Sequence, residues 1–156
     1  MKTIWITELD CPLPAGDAVL DLKRRKIRPC TGCWACWVRT PGRCAQRDLD
    51  DFYRSFVNAE RAVFLPRPRC GFVSGDLKNL FDRMIPLALP YISYQTGESM
   101  HAPRYARLPG VEVRYEDAFE RQEDRQLFCE YLERVFYQFG APLLRLEPIG
   151  KGGPQG

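Results

Sequence analysis

Four cysteines stand close together in this chain of 156 residues: Cys30-Thr31-Gly32-Cys33-Trp34-Ala35-Cys36-Trp37 is followed at a short interval by Cys44, giving the form C-x2-C-x2-C-x7-C. Thiolates spaced by two residues can converge on one centre, and four soft sulfur ligands suit an iron-sulfur cluster, a [4Fe-4S] cluster in particular, or zinc. Zinc ribbons generally set two C-x2-C pairs about 15 to 20 residues apart, and this run is tighter. Free or redox-active thiols are the third chemical use. Cysteine also packs as a small hydrophobe, so with Trp34 and Trp37 the run could form a plain packed loop, although four cysteines this close are hard to attribute to packing alone. Elsewhere, Cys129 lies beside the apolar stripe of a helix and reads as core or boundary filler, and Cys11 carries no assignment.

His101 is the only histidine, so a scheme needing a histidine base has one candidate; a surface histidine without a catalytic task is the ordinary reading. The pattern holds no G-x-S-x-G, H-E-x-x-H or Walker sequence that would suggest a hydrolase or nucleoside triphosphatase. A net charge of +3 with basic and acidic residues well mixed leaves no basic stripe for nucleic acid. No apolar run reaches the roughly 20 residues a membrane helix needs, and Glu8 and Asp10 follow the first apolar residues before a signal-peptide core can develop. The expectation is a cytoplasmic protein without membrane or nucleic-acid partners. In a reducing cytosol, crowded cysteines point to metal binding or catalysis rather than disulfides.

The elements that must position these residues alternate between strand and helix. Lys2 to Ile6 reads as a buried strand, broken by Pro12, Pro14 and Gly16, and Ala18 to Leu22 as a second. The interval between them is shorter than the dozen or so residues, usually helical, that a parallel pair takes, so a normal βαβ unit is not expected there. After the cysteines, Leu49, Phe52, Tyr53 and Phe56 recur at helical spacing behind the carboxylates of Asp48 to Asp51, ending near Ala59. Ala62-Val63-Phe64-Leu65 suits a central parallel strand. Ser74 is placed to cap a helix carrying Leu77, Leu80, Phe81, Met84 and Ile85. Residues 91–110 show no period and read as a long loop. Val111 to Tyr115 alternates as a strand, a long helix with Leu127 to Phe139 on one side stops at Gly140, and Leu143 to Leu146 gives a last strand. The prediction is one α/β domain over 1–150, a mostly parallel open sheet with helices on both faces, and a loose tail over 151–156. Ligands of such sheets bind beyond the carboxyl ends of the strands, where the cysteine run and the loop Pro66 to Ser74 are both expected.

Two stretches carry a family resemblance. Arg28 to Trp37, with Thr40-Pro41-Gly42-Arg43-Cys44 and Asp48-Leu49-Asp50, resembles the flavodoxin-like NAD(P)H-dependent FMN reductases and their iron-sulfur flavoprotein relatives. Phe72 to Arg83 is similar to that family's G-x-x-S-x-x-L-K-x-x-x-D-R stretch, matched by Gly71, Ser74, Leu77, Lys78, Asp82 and Arg83. The resemblance implies a sheet ordered 2-1-3-4-5 with FMN at its carboxyl edge. It places Arg69, Cys70, Gly71, Phe72 and Ser74 against the flavin, hydride coming from NAD(P)H, and Cys30, Cys33, Cys36 and Cys44 as ligands of a cluster passing electrons to or from the flavin or a redox partner protein.

The sequence departs from the family in two places. Family members hold the FMN phosphate in a Ser/Thr/Asn-rich loop leading into a first helix; here Asp10 to Gly16 replaces both, so the fold is truncated near the N-terminus. Arg67 and Arg69 stand where a proline and a tyrosine are usual. Two functions follow as expectations: an FMN reductase-like oxidoreductase or electron carrier, or a degenerate flavodoxin-like binding or assembly module that no longer binds FMN. In the second, the sheet face left without its helix would need covering, which favours a homo-oligomer.

Overall fold

Along β1 (Thr3–Thr7) and β3 (Arg61–Leu65) successive side chains point to opposite faces of the sheet. Both faces are apolar at the centre: Ile4, Ile6, Ala62 and Phe64 enter one core, and Trp5, Val63 and Leu65 a second. The computed structural model describes residues 2–15 and 17–150, and the tail expected over 151–156 lies outside them. With β2 (Ala18–Asp21), β6 (Gly110–Tyr115) and β7 (Leu143–Pro148), the two strands form a five-stranded sheet ordered β2-β1-β3-β6-β7. Every neighbouring pair in it is parallel. This is the flavodoxin-like α/β class, and the order is the 2-1-3-4-5 arrangement once only this sheet's strands are counted.

The helices α2 (Asp50–Asn58), α3 (Gly75–Arg83) and α4 (Gln122–Phe139) form where the spacing of apolar residues places them. Ser74 caps α3, its Oγ accepting from the Leu77 N–H at 3.0 Å, and Gly140 ends α4 in the left-handed region at φ 67°, which glycine adopts without steric cost. Their buried residues, among them Phe56, Leu80 and Phe136, all join the core that contains Ile4, Phe64 and Val113. Phe136 sits 5.1 Å from Phe64 and 5.8 Å from Phe81, ring to ring.

The expected second helical layer is where the structure differs. Trp5, Val63 and Leu65 are covered by Leu9, Cys11, Leu13 and Ile149, so the segment between β1 and β2 lies as a strap over the face that lacks a helix. A ten-residue connection can reach about 33 Å when extended, and a five-residue strand is only about 17 Å long. A parallel crossover is therefore feasible without a helix, which is how so short an interval joins β1 and β2. Trp5 fixes the return by donating from Nε1 to Asp17 Oδ2 at 3.0 Å. With the strap in place this face no longer supplies the exposed apolar surface on which a homo-oligomer was expected.

The stretch 91–110 is not a plain loop. It contains most of a hairpin of β4 (Ala88–Ser93) and β5 (Met100–Pro103), antiparallel, with Ile92 opposite His101. No residue of either strand is fully buried, so no alternation marked them. Arg134 holds the hairpin turn to α4 through Glu98 at 2.5 Å.

Leu13→Asp is expected to lift the strap from Trp5 and Val63. It should lower the unfolding free energy by about 2 kcal/mol, measured by urea denaturation, and increase binding of a hydrophobic dye.

Candidate functional site: the four-cysteine cavity

Cys30, Cys33, Cys36 and Cys44 all line one cavity of about 910 Å³, with Trp34, Trp37, His101 and Phe139 among its other walls. No residue of the five-stranded sheet lines it. Its floor comes from the ends of α3 (Phe81, Asp82, Arg83) and α4 (Phe139), and its far wall from Pro90, Ile92 and His101 of the hairpin.

The loop that carries the cysteines is closed at its base. Arg83, 1% exposed, donates from Nη2 to Asp48 Oδ1 at 2.5 Å and from Nη1 to the Arg28 carbonyl. Asp48 also accepts from the Arg28 N–H at 3.2 Å, Gln46 Nε2 donates to the Pro29 carbonyl at 2.7 Å, and Asn79 Nδ2 to the Ile27 carbonyl at 2.6 Å. Both ends of the segment 28–48 are thus pinned together and to α3. Hydrogen bonding from Arg83 holds the Asp48 carboxyl down to about 2.

Within the loop, a short helix α1 (Ala35–Val38) starts after Trp34, which sits at φ 58° and is 62% exposed. A bulky side chain is uncommon in that region. Here the turn sets Trp34 edge-on to Trp37, centroids 5.2 Å apart, and Trp37 lies against His101 at 4.9 Å. Trp37 Nε1 donates to the Ala88 carbonyl at 3.0 Å, tying the cysteine loop to the hairpin.

The four thiols face different environments. Cys30 and Cys33 are exposed, while Cys36 and Cys44 are half-buried. The Ala35 N–H, and after it the Thr31 hydroxyl, draw the Cys33 thiol below its ordinary value. Burial pushes Cys36 up, and the closeness of Cys44, Cys30 and Cys33 adds to the push. Cys36 is thus the thiol that feels the other three. Among the described residues no three Cys, His, Asp or Glu side chains converge as they would on a single ion; the sulfurs are distributed around a cavity wall. Four thiols on one cavity are the donor chemistry of a cluster, and such a group would be held by these four.

The loop after β3 is elsewhere. Arg69 and Ser74 line a separate cavity of about 270 Å³ with Glu8, Lys23 and Arg67. Arg69 and Phe72 exchange backbone hydrogen bonds at 2.8 and 3.0 Å around Cys70 and Gly71, both at positive φ (49° and 74°), which makes a tight two-residue turn with Cys70 exposed at its tip. The cysteine run and this loop, expected at one edge, line different cavities.

Glu8 went unmarked in the sequence as a site residue. It directly follows β1, is buried, and accepts from the Arg67 N–H at 2.9 Å and from Ser74 Oγ. Burial raises its carboxyl above the usual range against the pull of those two hydrogen bonds. Its only signal was position: a carboxylate immediately after a buried strand, at the ligand edge.

Comparison with solved structures finds an azoreductase from Bacillus anthracis str. Sterne at TM-score 0.58 and 12% identity, covering 94% of this chain and 86% of that one. The azoreductase AzrA matches at TM-score 0.59 and 11% identity, covering 95% and 87%. The chain shares their fold. No protein-family model matches it, and no curated protein does. Among the described residues no helix is long and apolar enough to cross a membrane.

The flavodoxin-like fold implies FMN at the carboxyl edge, its phosphate beside the end of β1. The residues there do not fit a phosphate. Among the described residues no helix N-terminus lies between β1 and β2, and the Arg67 N–H and the Ser74 hydroxyl already serve Glu8.

Two outcomes test the clamp. Arg83→Met leaves the Asp48 carboxylate and the Arg28 carbonyl without their donor, and is expected to cost about 3 kcal/mol in urea unfolding and to speed alkylation of Cys36 and Cys44. Because the folded Asp48 carboxyl is held down to about 2, its contribution is present above the unfolded value near 4 and lost as pH falls toward 2. At about 1.4 kcal/mol per unit, this amounts to about 2 kcal/mol. Asp48→Asn should be less stable than wild type at neutral pH, and the gap should close on acidification through that window.

Proposed function

We propose that this chain is a redox protein whose working centre is the four-cysteine cavity, acting as an electron carrier or as the electron-handling part of an NAD(P)H-linked oxidoreductase. The observation that carries the reading is the gathering of Cys30, Cys33, Cys36 and Cys44 on one largely apolar cavity, from a loop fixed at both ends by Arg83 and Asp48. A [4Fe-4S] cluster bound there would supply one-electron transfer.

The chain's own groups do the rest. Trp34, Trp37, Phe139 and Ile92 make the cavity wall largely apolar, which matters because solvent exposure and hydrogen bonds to sulfur set the potential of such a centre. The Ala35 N–H supplies one of those hydrogen bonds, at Cys33. Trp34, exposed at the rim, gives a redox partner protein an apolar surface beside the sulfurs. The thiols must stay reduced to serve as ligands, which suits a reducing compartment such as the cytoplasm.

Anaerobic reconstitution with ferrous iron and sulfide is expected to give broad visible absorption with about four iron and four sulfide per chain, both lost in Cys36→Ser. Protein that takes up no iron but cycles reversibly between dithiol and disulfide keeps the redox reading and discards the cluster. Protein that does neither overturns the redox reading. That last result favours the second reading, a binding or assembly module without FMN, which draws on the strap and on Glu8.

A further inference from the structure

We infer that Glu8 stands where this fold would seat a ligand's phosphate, and that the carboxyl edge of this sheet therefore excludes phosphorylated flavins such as FMN. The strand order places a switch point between β1 and β3: the chain leaves β1 toward β2 on one side and returns to β3 on the other. Ligands of open α/β sheets bind in that crevice.

Here the crevice is built from the end of β1, carrying Glu8, and the loop after β3, carrying Arg67 and Ser74. An anion arriving there needs N–H and O–H donors aimed at it. Two such donors are the Arg67 N–H, 2.9 Å from Glu8 Oε2, and the Ser74 hydroxyl, which donates to Glu8 Oε1 while its oxygen accepts from the Leu77 N–H. Each is already committed to the chain's own carboxylate.

Two of the three side-chain cations of this small cavity are answered in the same way. Arg67 Nε pairs with Glu116 at 2.6 Å and Lys23 pairs with Asp10. Arg69, the third, lines the same cavity and makes no ion pair among the described residues. Asp76, at the start of α3, adds a further carboxylate to the wall. A phosphate dianion entering the crevice would meet Glu8 and Asp76, with the Arg67 N–H and the Ser74 hydroxyl already taken by Glu8. The inference is independent of the cysteine cavity, which shares no residue with this one.

The test compares FMN with riboflavin, which differ only in the phosphate, by flavin fluorescence quenching on the full chain. Inorganic phosphate in excess serves as competitor. In the wild type FMN should bind no more than about twofold more tightly than riboflavin, or neither should bind, and phosphate should have no effect. Glu8→Ser frees both donors and removes the charge; the FMN preference should then rise at least tenfold and become sensitive to phosphate. Glu8→Gln, close in shape and lacking only the charge, should show a smaller rise in the same direction, and its thermal midpoint checks that the edge remains folded. A wild-type FMN preference of tenfold or more, abolished by phosphate, overturns the inference. So does a folded Glu8→Gln that shows no gain in FMN preference.

Discussion

Arg83 carries its positive charge to a place where water scarcely reaches, 1% exposed at the end of α3, and the candidate site depends on what answers that charge. A buried guanidinium must be paired and hydrogen-bonded to remain there. Its partners are Asp48 and the Arg28 carbonyl, residues that flank the cysteine run on either side. One charge therefore closes a loop of some twenty residues and docks it on the helical layer. The pair is not optimised for stability, since Arg83 Nε has no partner among the described residues. A well-packed hydrophobic side chain could serve stability as well, but it could not tell Asp48 and the Arg28 carbonyl from other groups. What the ion pair adds is register: it decides where along α3 the cysteines are held.

The sheet beneath meets a different constraint. Trp5, Val63 and Leu65 make its second face apolar, and without a helix that face would be open to water. The strap solves this with few residues, because Leu9, Cys11 and Leu13 need only reach back along one strand. The same economy shapes the ligand edge. Among the described residues no helix begins between β1 and β2, and at that edge Glu8 accepts from the Arg67 N–H and the Ser74 hydroxyl. The short connection thus bears on both the strap over one face and the carboxylate at the ligand edge.

Much of this was legible in the sequence, for identifiable reasons. The strands and the three long helices follow from periodicity that burial enforces, and the Ser74 cap and Gly140 stop from local chemistry that needs no tertiary context. The link between the two family-like stretches was only half legible. Arg83 and Asp48 both lie in them, yet nothing in spacing says that one reaches the other, because the contact joins residues 35 positions apart. The hairpin over 88–103 was missed because none of its strand residues is fully buried, so no alternation of buried and exposed positions marks it. The cysteine run and the loop after β3 were expected at a common edge on topology alone, but the length of the loop carries the sulfurs away from the strand ends to the ends of α3 and α4. The second helical layer was expected from strand-helix alternation, which counts helices without saying which face each one covers.

The separation of the two cavities bears on how the fold can be used. In a flavodoxin-like sheet the edge at the switch point is where a cofactor meets its substrate, and here several groups of that edge answer one another: Glu8 with Arg67 and Ser74, Arg67 with Glu116, Lys23 with Asp10. The cysteine cavity is the reverse. Its thiols are bound by no disulfide, His101 Nδ1 is buried without a partner among the described residues, and Trp34 is held exposed in a backbone conformation that bulky residues seldom take. Unanswered polar groups and local strain gather where a structure is built to meet something else. By that physical criterion the cysteine cavity, over the helices, is left more open to a partner than the strand ends where a fold of this kind usually takes its ligand.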